Sequence, residues 1–263
     1  MNKVAIVTGG SGGIGRGTAR ALRDSGCRVY EMSRREIGLS GVTHISADVS
    51  DEARVAEAVR FVYEKEGSID ILINNAGFGI SGASEFTNNE DAKALLDVNL
   101  FGTVNASKAV IPYMRKNGAG RIVNVSSVAA AIPIPFQSWY SVSKAAVNAF
   151  TAALIGEVSP FGISVCAVMP GDINSGFTAA RKKSRAGDDI YSGRINRSVG
   201  RMEKDETNGT PPEKAARSIC RIALKKRVKP FYTVGAKYKF FIFLSRVLPA
   251  RIISRIVGLL YAG

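Results

Sequence analysis

The sequence VAIVTGGSGGIG at residues 4–15 decides the fold. Its first four residues are apolar, which predicts a short buried strand. A glycine-rich turn follows, and apolar periodicity from Ile14 to about Ser25 predicts a helix. Glycines at such a junction let backbone N–H groups approach a phosphate, and the helix N-terminus favours its negative charge. The segment therefore predicts a nucleotide-binding unit, with a purely structural tight turn as the alternative.

Two glycine spacings fit this turn. The pattern G-x-G-x-x-G is met by Gly10, Gly12 and Gly15, and G-x-x-x-G-x-G is met by Gly9, Gly13 and Gly15. Either spacing alone is a weak signal, and its position between an apolar strand and a helix strengthens it.

The rest of the chain alternates between strand and helix patterns. Further strands are predicted at residues 28–32, 42–47, 69–73, 121–125, 163–168 and 231–234. Helices are predicted at residues 51–66, 91–116, 138–159 and 211–226. Short apolar strands between helices predict an α/β fold, a single Rossmann-type domain over residues 1–263 with a doubly wound parallel sheet. Residues 172–210 show little apolar periodicity and are predicted to form an irregular substrate lid.

Composition sets the broad class of the protein. Of the 263 residues, 46% are hydrophobic, which suffices for a full core. No run of about 18 apolar residues occurs, so no spanning helix is expected, and the N-terminus shows no secretory leader. Three scattered cysteines, Cys27, Cys166 and Cys220, predict free thiols in a reducing compartment, which indicates a cytoplasmic protein. His44 is the single histidine and has no partners for a metal site or a triad, so no metal is predicted.

Tyr140 and Lys144 are four residues apart in a predicted helix and therefore share one face. A nearby ammonium favours the phenolate, so Lys144 is expected to lower the pKa of Tyr140 below its usual value near ~10. A lowered pKa would suit the phenol to general acid–base catalysis. On spacing alone, a surface Tyr–Lys pair is the simpler interpretation, and the other motifs decide between the two.

Several motifs accompany this pair in a fixed order between residues 3 and 175. They are T-G-x-x-x-G-x-G (Thr8, Gly9, Gly13, Gly15), N-N-A-G (residues 74–77), Asn99, Ser127 thirteen residues before Tyr140, Y-x-x-x-K (Tyr140, Lys144), and Pro170-Gly171. With them the chain resembles the short-chain dehydrogenase/reductase (SDR) family. The resemblance implies hydride transfer to or from a nicotinamide, without a metal.

The resemblance also implies a role for each matching residue. Tyr140 would exchange a proton with the substrate oxygen, and Ser127 would hydrogen-bond that oxygen as charge develops. Lys144 would hold the nicotinamide ribose, and Asn99 would anchor a water behind it. Asp48 would contact the adenine, with capping of the next helix as its structural alternative. The implied cofactor-binding residues are Gly9, Ser11, Gly12, Gly13, Ile14, Gly15, Ser33, Arg34, Asp48, Val49, Asn75, Ala76, Gly77, Tyr140, Lys144, Pro170, Gly171 and Ile173.

The run MSRR at residues 32–35 bears on the choice of nicotinamide. Ser33 stands where NAD-selecting relatives have an acid, and Arg34 follows it. Arginine forms bidentate, charge-assisted bonds to a phosphate, so NADP is the expected cofactor and NAD the second choice. Gly12 stands where the family often has a second basic residue, so one aid to NADP binding is absent. The side chain of Glu31 is expected to point elsewhere.

The positive charge of the chain is concentrated in its last third. Residues 181–263 carry 20 basic and 6 acidic side chains, which accounts for the whole net charge of +14. This segregation predicts an anionic partner or a solvated basic surface. The extension at residues 236–263 has no acidic residue, and Pro249 divides it into two amphipathic helices. We expect it to cover the pocket or to pack in a homodimer or homotetramer, with peripheral membrane contact as the second interpretation.

The predicted function is NADP(H)-dependent interconversion of a small-molecule alcohol and ketone. The hydrophobic extension is similar to that of family members acting on steroids, retinoids and acyl-lipid ketones, so a lipophilic substrate is expected. The basic lid leaves a phosphate- or CoA-bearing ketone as the alternative. A non-catalytic NADP-binding regulatory module is an alternative of another class, which the complete set of Ser127, Tyr140 and Lys144 disfavours. No nucleic-acid partner is expected, because no recognised motif accompanies the charge.

Overall fold

A parallel sheet of seven strands organises the computed structural model, which describes residues 2–36 and 38–263. The strands are β1 (Val4–Thr8), β2 (Arg28–Ser33), β3 (Val42–Ser46), β4 (Ile71–Asn74), β5 (Ile80–Ser81), β6 (Gly120–Val125), β7 (Ile163–Pro170), β8 (Lys182–Lys183) and β9 (Phe231–Val234). The sheet has the order β3-β2-β1-β4-β6-β7-β9, and β5 pairs separately with β8. Every strand predicted from the sequence is present. The order reverses direction between β1 and β4, where ligands bind in folds of this kind.

Helices connect the strands and cover both faces of the sheet. They are α1 (Gly13–Asp24), α2 (Glu52–Glu66), α3 (Asn89–Leu96), α4 (Gly102–Lys116), α5 (Ser138–Val158), α6 (Phe177–Ala180), α7 (Arg194–Thr207), α8 (Pro212–Ala223), α9 (Ala236–Val247) and α10 (Ala250–Ala262). The helix predicted at residues 91–116 is α3 and α4, joined by a π-helical turn at Asp97–Phe101. Such turns often occur at functional sites.

Two apolar cores lie on opposite faces of the sheet. Val4 and Ile6 of β1 point towards α2, α4 and α5, whereas Ala5 and Val7 point towards α1 and α8. This alternation follows from the two-residue period of a strand. Because both faces are covered, the inner strands β1, β2, β4, β6 and β7 are largely buried, whereas the edge strands β3 and β9 are not. The carboxyl ends of the strands provide the accessible edge.

The predicted irregular lid contains a long helix. Helix α7 spans 14 residues, and it buries Ile195, Val199 and Met202 at helical spacing. The prediction of an irregular segment over all of residues 172–210 is therefore wrong. The high content of Gly, Ser, Arg and Lys concealed this narrow apolar stripe, which is enough to hold a helix against the domain.

The extension forms two helices, α9 and α10, which Pro249 separates as predicted. Helix α9 follows β9 directly, and α10 packs against α7. Ile242, Val257 and Ala262 are their buried residues. The tail is therefore attached to the lid and to the last strand.

Candidate active site

The glycine turn after β1 is fixed by close contact with the segment after β4. Gly9 and Gly13 have φ of 66° and 49°, which favour glycine. A Cβ on Gly9 would lie 2.7 Å from the Cα of Ala76. The side-chain amide of Asn75 donates to the carbonyl oxygens of Thr8, at 3.1 Å, and Gly9, at 3.2 Å. Gly12 caps α1 without a side-chain hydrogen bond, and a Cβ there would meet nothing within 4 Å.

A cavity of about 640 Å³ lies at the carboxyl ends of the strands. Its wall brings together nearly all the predicted cofactor-binding residues; Gly15 is the exception, because it packs against the backbone of Gly9 beneath the turn. Those in the wall are Gly9, Ser11, Gly12, Gly13, Ile14, Ser33, Arg34, Asp48, Val49, Asn75, Ala76, Gly77, Tyr140, Lys144, Pro170, Gly171 and Ile173. The wall also contains Ser127, so the glycine turn and the predicted catalytic group share one cavity.

Helix α5 and the end of β6 position the predicted catalytic group. Lys144 is 5% exposed, and its Nζ donates to the carbonyl oxygen of Val125 at 2.9 Å. The same Nζ lies 5.9 Å from the ring centroid of Tyr140. Ser127 caps a short 3₁₀ turn, since its Oγ accepts from the backbone N–H of Ala129 at 3.1 Å. These three side chains lie close together because α5 packs against β7 and against the 3₁₀ turn that follows β6.

Burial shifts the pKa values of this group in opposite directions. It raises the pKa of Tyr140 to about 12, although Ser127 and the charge of Arg181 lower it in part. It also lowers the pKa of Lys144 to about 8. The predicted lowering of the tyrosine pKa is therefore wrong for the protein alone. Desolvation of the phenolate raises the pKa of Tyr140 by more than Ser127 and Arg181 lower it.

Asn99 lies behind the cavity wall rather than in it. Its amide nitrogen donates to the carbonyl oxygen of Phe78 and to Ser143 Oγ, both at 3.0 Å. Its Oδ1 accepts from the backbone N–H of Phe78, also at 3.0 Å. Asn99 thus braces the segment after β4 against α5 with its own side chain. The water relay stays a prediction.

The end of β2 presents an arginine to the cavity. Arg34 has a side chain that is 76% exposed, and it lies 3.8 Å from a carboxylate oxygen of Asp48. Burial raises the pKa of Asp48, but hydrogen bonds from Ser50 and the charge of Arg34 lower it overall. Asp51 caps α2 instead of Asp48, since it accepts from the backbone N–H of Arg54 at 3.0 Å.

Glu31 supports the glycine turn from outside the cavity. Its carboxylate is 1% exposed, is paired with His44, and accepts from Ser33 Oγ at 3.3 Å. A Cβ on Gly10 would lie 2.7 Å from the Cβ of Glu31. No local spacing indicates this pair, because Glu31 and His44 belong to neighbouring strands that are separate in the chain.

The lid and the tail form the wall opposite the glycine turn. The ring of Phe177 lies 5.4 Å from that of Tyr140, and the wall continues with Met202 and Tyr261. Asp172 and Glu206 contribute carboxylates on this side of the cavity. The contribution of these residues to the site depends on contacts between distant parts of the chain, which no local spacing in the sequence indicates.

Each of the two carboxylates has a partner. Tyr238 of the tail donates its hydroxyl hydrogen to Asp172, and its ring covers Gly171 so closely that a Cβ there would overlap it. Arg181, whose side chain is fully buried, forms an ion pair with Glu206. Burial raises the pKa of Asp172, although the hydrogen bond from Tyr238 lowers it in part.

Residues 2–36 and 38–263, which the structure describes, hold no cluster of three or more His, Cys, Asp or Glu residues placed to bind a metal ion. Within the same residues, no helix has the length and apolar content needed to cross a membrane.

Comparison with known proteins gives one consistent family. Residues 3–186 match the family model described as short chain dehydrogenase. The chain is 41% identical over 234 residues to 3-ketodihydrosphingosine reductase of Bacteroides thetaiotaomicron, covering 88% of this chain and 87% of that protein. A short-chain dehydrogenase from Streptomyces avermitilis has a similar structure, with a TM-score of 0.85 at 29% identity over 94% and 93% of the two chains. The 3-ketoacyl-(acyl-carrier-protein) reductase from Brucella melitensis, complexed with NADH, gives 0.74 at 27% identity over 88% and 96%.

Proposed function

Because the chain belongs to the short-chain dehydrogenase family, and is thus an oxidoreductase, we propose that it reduces a lipophilic ketone with NADPH. The observation that carries the proposal is the convergence of Ser127, Tyr140 and Lys144 on a cavity shared with the glycine turn. The wall beyond Tyr140 contains Phe177 and Met202, which suit an apolar substrate.

The glycine turn and the end of β2 fit a nicotinamide dinucleotide phosphate. The N-terminus of α1 leaves its first N–H groups for a phosphate, and Gly9 and Gly13 allow close approach of the backbone. Ser33 places no carboxylate against a 2′-phosphate, and the exposed guanidinium of Arg34 can pair with one. NAD is the second choice, which accords with the NADH bound in the Brucella melitensis reductase.

In the proposed reaction, the bound nicotinamide supplies a hydride to the carbonyl carbon of the ketone. Tyr140 donates its phenolic proton to the carbonyl oxygen, so the ketone gains one hydride and one proton and becomes an alcohol. With a pKa of about 12 the phenol is protonated at neutral pH, so it holds the proton that reduction of the ketone requires. Ser127 hydrogen-bonds the oxygen as negative charge develops, and Lys144 orients the ribose and supports the phenolate.

The charges near the tyrosine support a neutral or cationic substrate head over a phosphate or CoA group. Of the two carboxylates in this wall, Glu206 is neutralised by its ion pair with Arg181. Asp172 accepts a hydrogen bond from Tyr238 and is therefore the carboxylate that can favour such a head group. Two basic side chains of the lid are engaged elsewhere, since Lys182 is paired with Asp91 and Lys183 with Glu203. A long-chain keto base of the kind named in the Bacteroides thetaiotaomicron relative combines an apolar chain with a small polar head, and it is the substrate that we favour.

We also infer a cytoplasmic homodimer or homotetramer. The cytoplasmic location is supported by Cys27, Cys166 and Cys220, which are free and buried, as expected for a reducing compartment. Sedimentation equilibrium over a range of concentrations measures the number of subunits, and a monomer at every concentration would contradict the assembly.

A substrate panel tests the proposed function. The purified protein is incubated with NADPH and, separately, 3-ketodihydrosphingosine, a steroid ketone, a 3-ketoacyl-CoA and a ketose, and oxidation is followed by absorbance. We expect turnover of the long-chain keto base or the steroid to exceed that of the CoA ester and the ketose. Faster turnover of the CoA ester would replace this substrate class by the alternative, and the same panel with NADH measures the cofactor preference.

A further inference from the structure

Exposed apolar side chains are concentrated on the two C-terminal helices. Single exposed apolar residues occur on most proteins and need no explanation, but a contiguous group usually marks a contact surface. Here seven such residues lie within two adjacent helices, each between 43% and 70% exposed. They are Phe240, Phe243 and Val247 of α9, and Ile252, Ile256, Leu259 and Leu260 of α10.

The spacing of these residues places them along one face of each helix. In α9 they are separated by three and four residues, and in α10 by four, three and one. The opposite faces are already occupied, since Ile242 and Val257 are 6% and 7% exposed. Tyr261, on the inner side of α10, lines the active-site cavity. Each helix therefore carries an outer apolar face in addition to the inner face that fixes it to the domain.

Basic side chains accompany this outer face. Lys239 and Arg246 lie on α9, and Arg251 and Arg255 lie one position before Ile252 and Ile256 of α10. Among the described residues, none of these cations forms an ion pair. Residues 236–263 contain no Asp or Glu. The surface thus combines a large apolar area with an uncompensated positive charge.

We propose that this surface, the outer face of α9 and α10, docks the protein on an anionic lipid bilayer. Helices of this kind lie in the plane of the bilayer interface, with their apolar side chains buried roughly 5–10 Å into the boundary of head groups and acyl chains. Lysine and arginine beside them attract anionic head groups. The inference goes beyond the proposed reaction, and it holds whatever ketone the enzyme reduces.

Charge favours a bilayer over a second copy of the chain. In a two-fold interface the same patch meets itself, so the cations of one subunit would face the cations of the other. An anionic membrane neutralises them instead. Docking also brings the bilayer against α10, which carries Tyr261 of the cavity wall on its inner side.

Flotation with lipid vesicles tests this proposal. The full chain is mixed with vesicles of phosphatidylcholine alone, or with about one third phosphatidylglycerol, and the bound fraction is measured at low and high salt. We expect binding to the anionic vesicles that high salt weakens. Changing both Arg251→Gln and Arg255→Gln should lower the partition coefficient about 25-fold, or about fivefold per cation. Phe243→Ser and Leu259→Ser should lower it as well.

Matched changes on α2 serve as controls. Arg54→Gln with Arg60→Gln removes the same charge, and Phe61→Ser replaces a side chain that is 47% exposed. These variants should bind like the wild type, and circular dichroism checks that every variant is folded. The proposal is overturned if the wild type does not float with anionic vesicles, or if the α2 variants lose as much binding as the tail variants. It is also overturned if Phe243→Ser dissociates a dimer in solution and vesicles are not bound, since the face would then join two copies.

Discussion

Replacing Arg181 by methionine is expected to lower the stability of the protein more than most surface changes would. The arginine side chain is 0% exposed and its partner Glu206 is 13% exposed, so the variant leaves a largely buried carboxylate without its counter-charge. Such a loss costs about 3–5 kcal/mol. Thr178 Oγ1 still donates to Glu206 at 2.6 Å, so we expect the lower end of that range. At roughly 2–4 °C per kcal/mol, the melting temperature should fall by about 6–12 °C.

Thermal and urea unfolding of a double-mutant cycle isolates this effect. In Arg181→Met with Glu206→Gln, no buried charge remains, and Thr178 can still donate to the side-chain carbonyl. The double variant should therefore recover most of the lost stability. Arg201→Met is the matched control, because its pair with Asp205 is half exposed on the arginine side, and it should change stability by less than about 1 kcal/mol. A loss below about 1 kcal/mol for Arg181→Met, or a double variant no more stable than the single one, would refute this account of the lid.

Three further outcomes follow from the site. Arg34→Ala should lower kcat/KM with NADPH about 10- to 100-fold, which is the effect of losing one charge-assisted hydrogen bond. The same change should leave kcat/KM with NADH nearly unchanged. Gly9→Ala should abolish cofactor binding, measured by fluorescence titration, because its φ is 66° and its Cβ would lie 2.7 Å from Ala76; Gly12→Ala should bind normally. Burial lowers the pKa of Lys144 from 10.5 to about 8. Below pH 8 the side chain is charged in the folded protein, and its burial destabilises the fold by the full amount. As the pH rises from 8 to 10.5 the folded protein holds a neutral Lys144, and this destabilisation disappears. The stability of Lys144→Met relative to the wild type should thus decline by about 2–3 kcal/mol over that range, measured by urea unfolding.

Each of these outcomes has a clear opposite. Equal losses with NADPH and NADH in Arg34→Ala would place the arginine away from the 2′-phosphate. Normal binding by Gly9→Ala would show that the turn tolerates a side chain. A pH-independent difference for Lys144→Met would mean that this ammonium is not desolvated in the folded protein.

Local patterns in the sequence predicted the elements that build the nucleotide side of the cavity. The turn at residues 9–15 and the pair Tyr140 and Lys144 depend on short spacings, which translate directly into geometry. The resemblance then linked them to Ser127 and to the segment after β4. All of these lie in the cavity wall apart from Gly10, which packs against Glu31, and Gly15, which supports the turn from below.

The remaining features depend on burial and on contacts between distant residues, which no short spacing encodes. The tyrosine pKa was predicted in the wrong direction because the desolvation of its hydroxyl comes from the whole fold. The partnership of Tyr238 with Asp172 joins residues 66 apart in the chain. Helix α7 was missed because its apolar stripe is narrow and the surrounding composition is typical of loops.

The role of Tyr140 as proton donor is the central claim, and the rate of NADPH oxidation by Tyr140→Phe tests it most directly. With 3-ketodihydrosphingosine, or whichever ketone the panel selects, the account predicts a fall in kcat of about 10²- to 10⁴-fold, the usual contribution of a general acid. NADPH affinity should stay within about threefold of the wild type, since the cofactor contacts of the glycine turn and Lys144 are retained. Tyr63→Phe, on α2 outside the cavity, should behave like the wild type. Near-normal turnover by Tyr140→Phe would contradict the account.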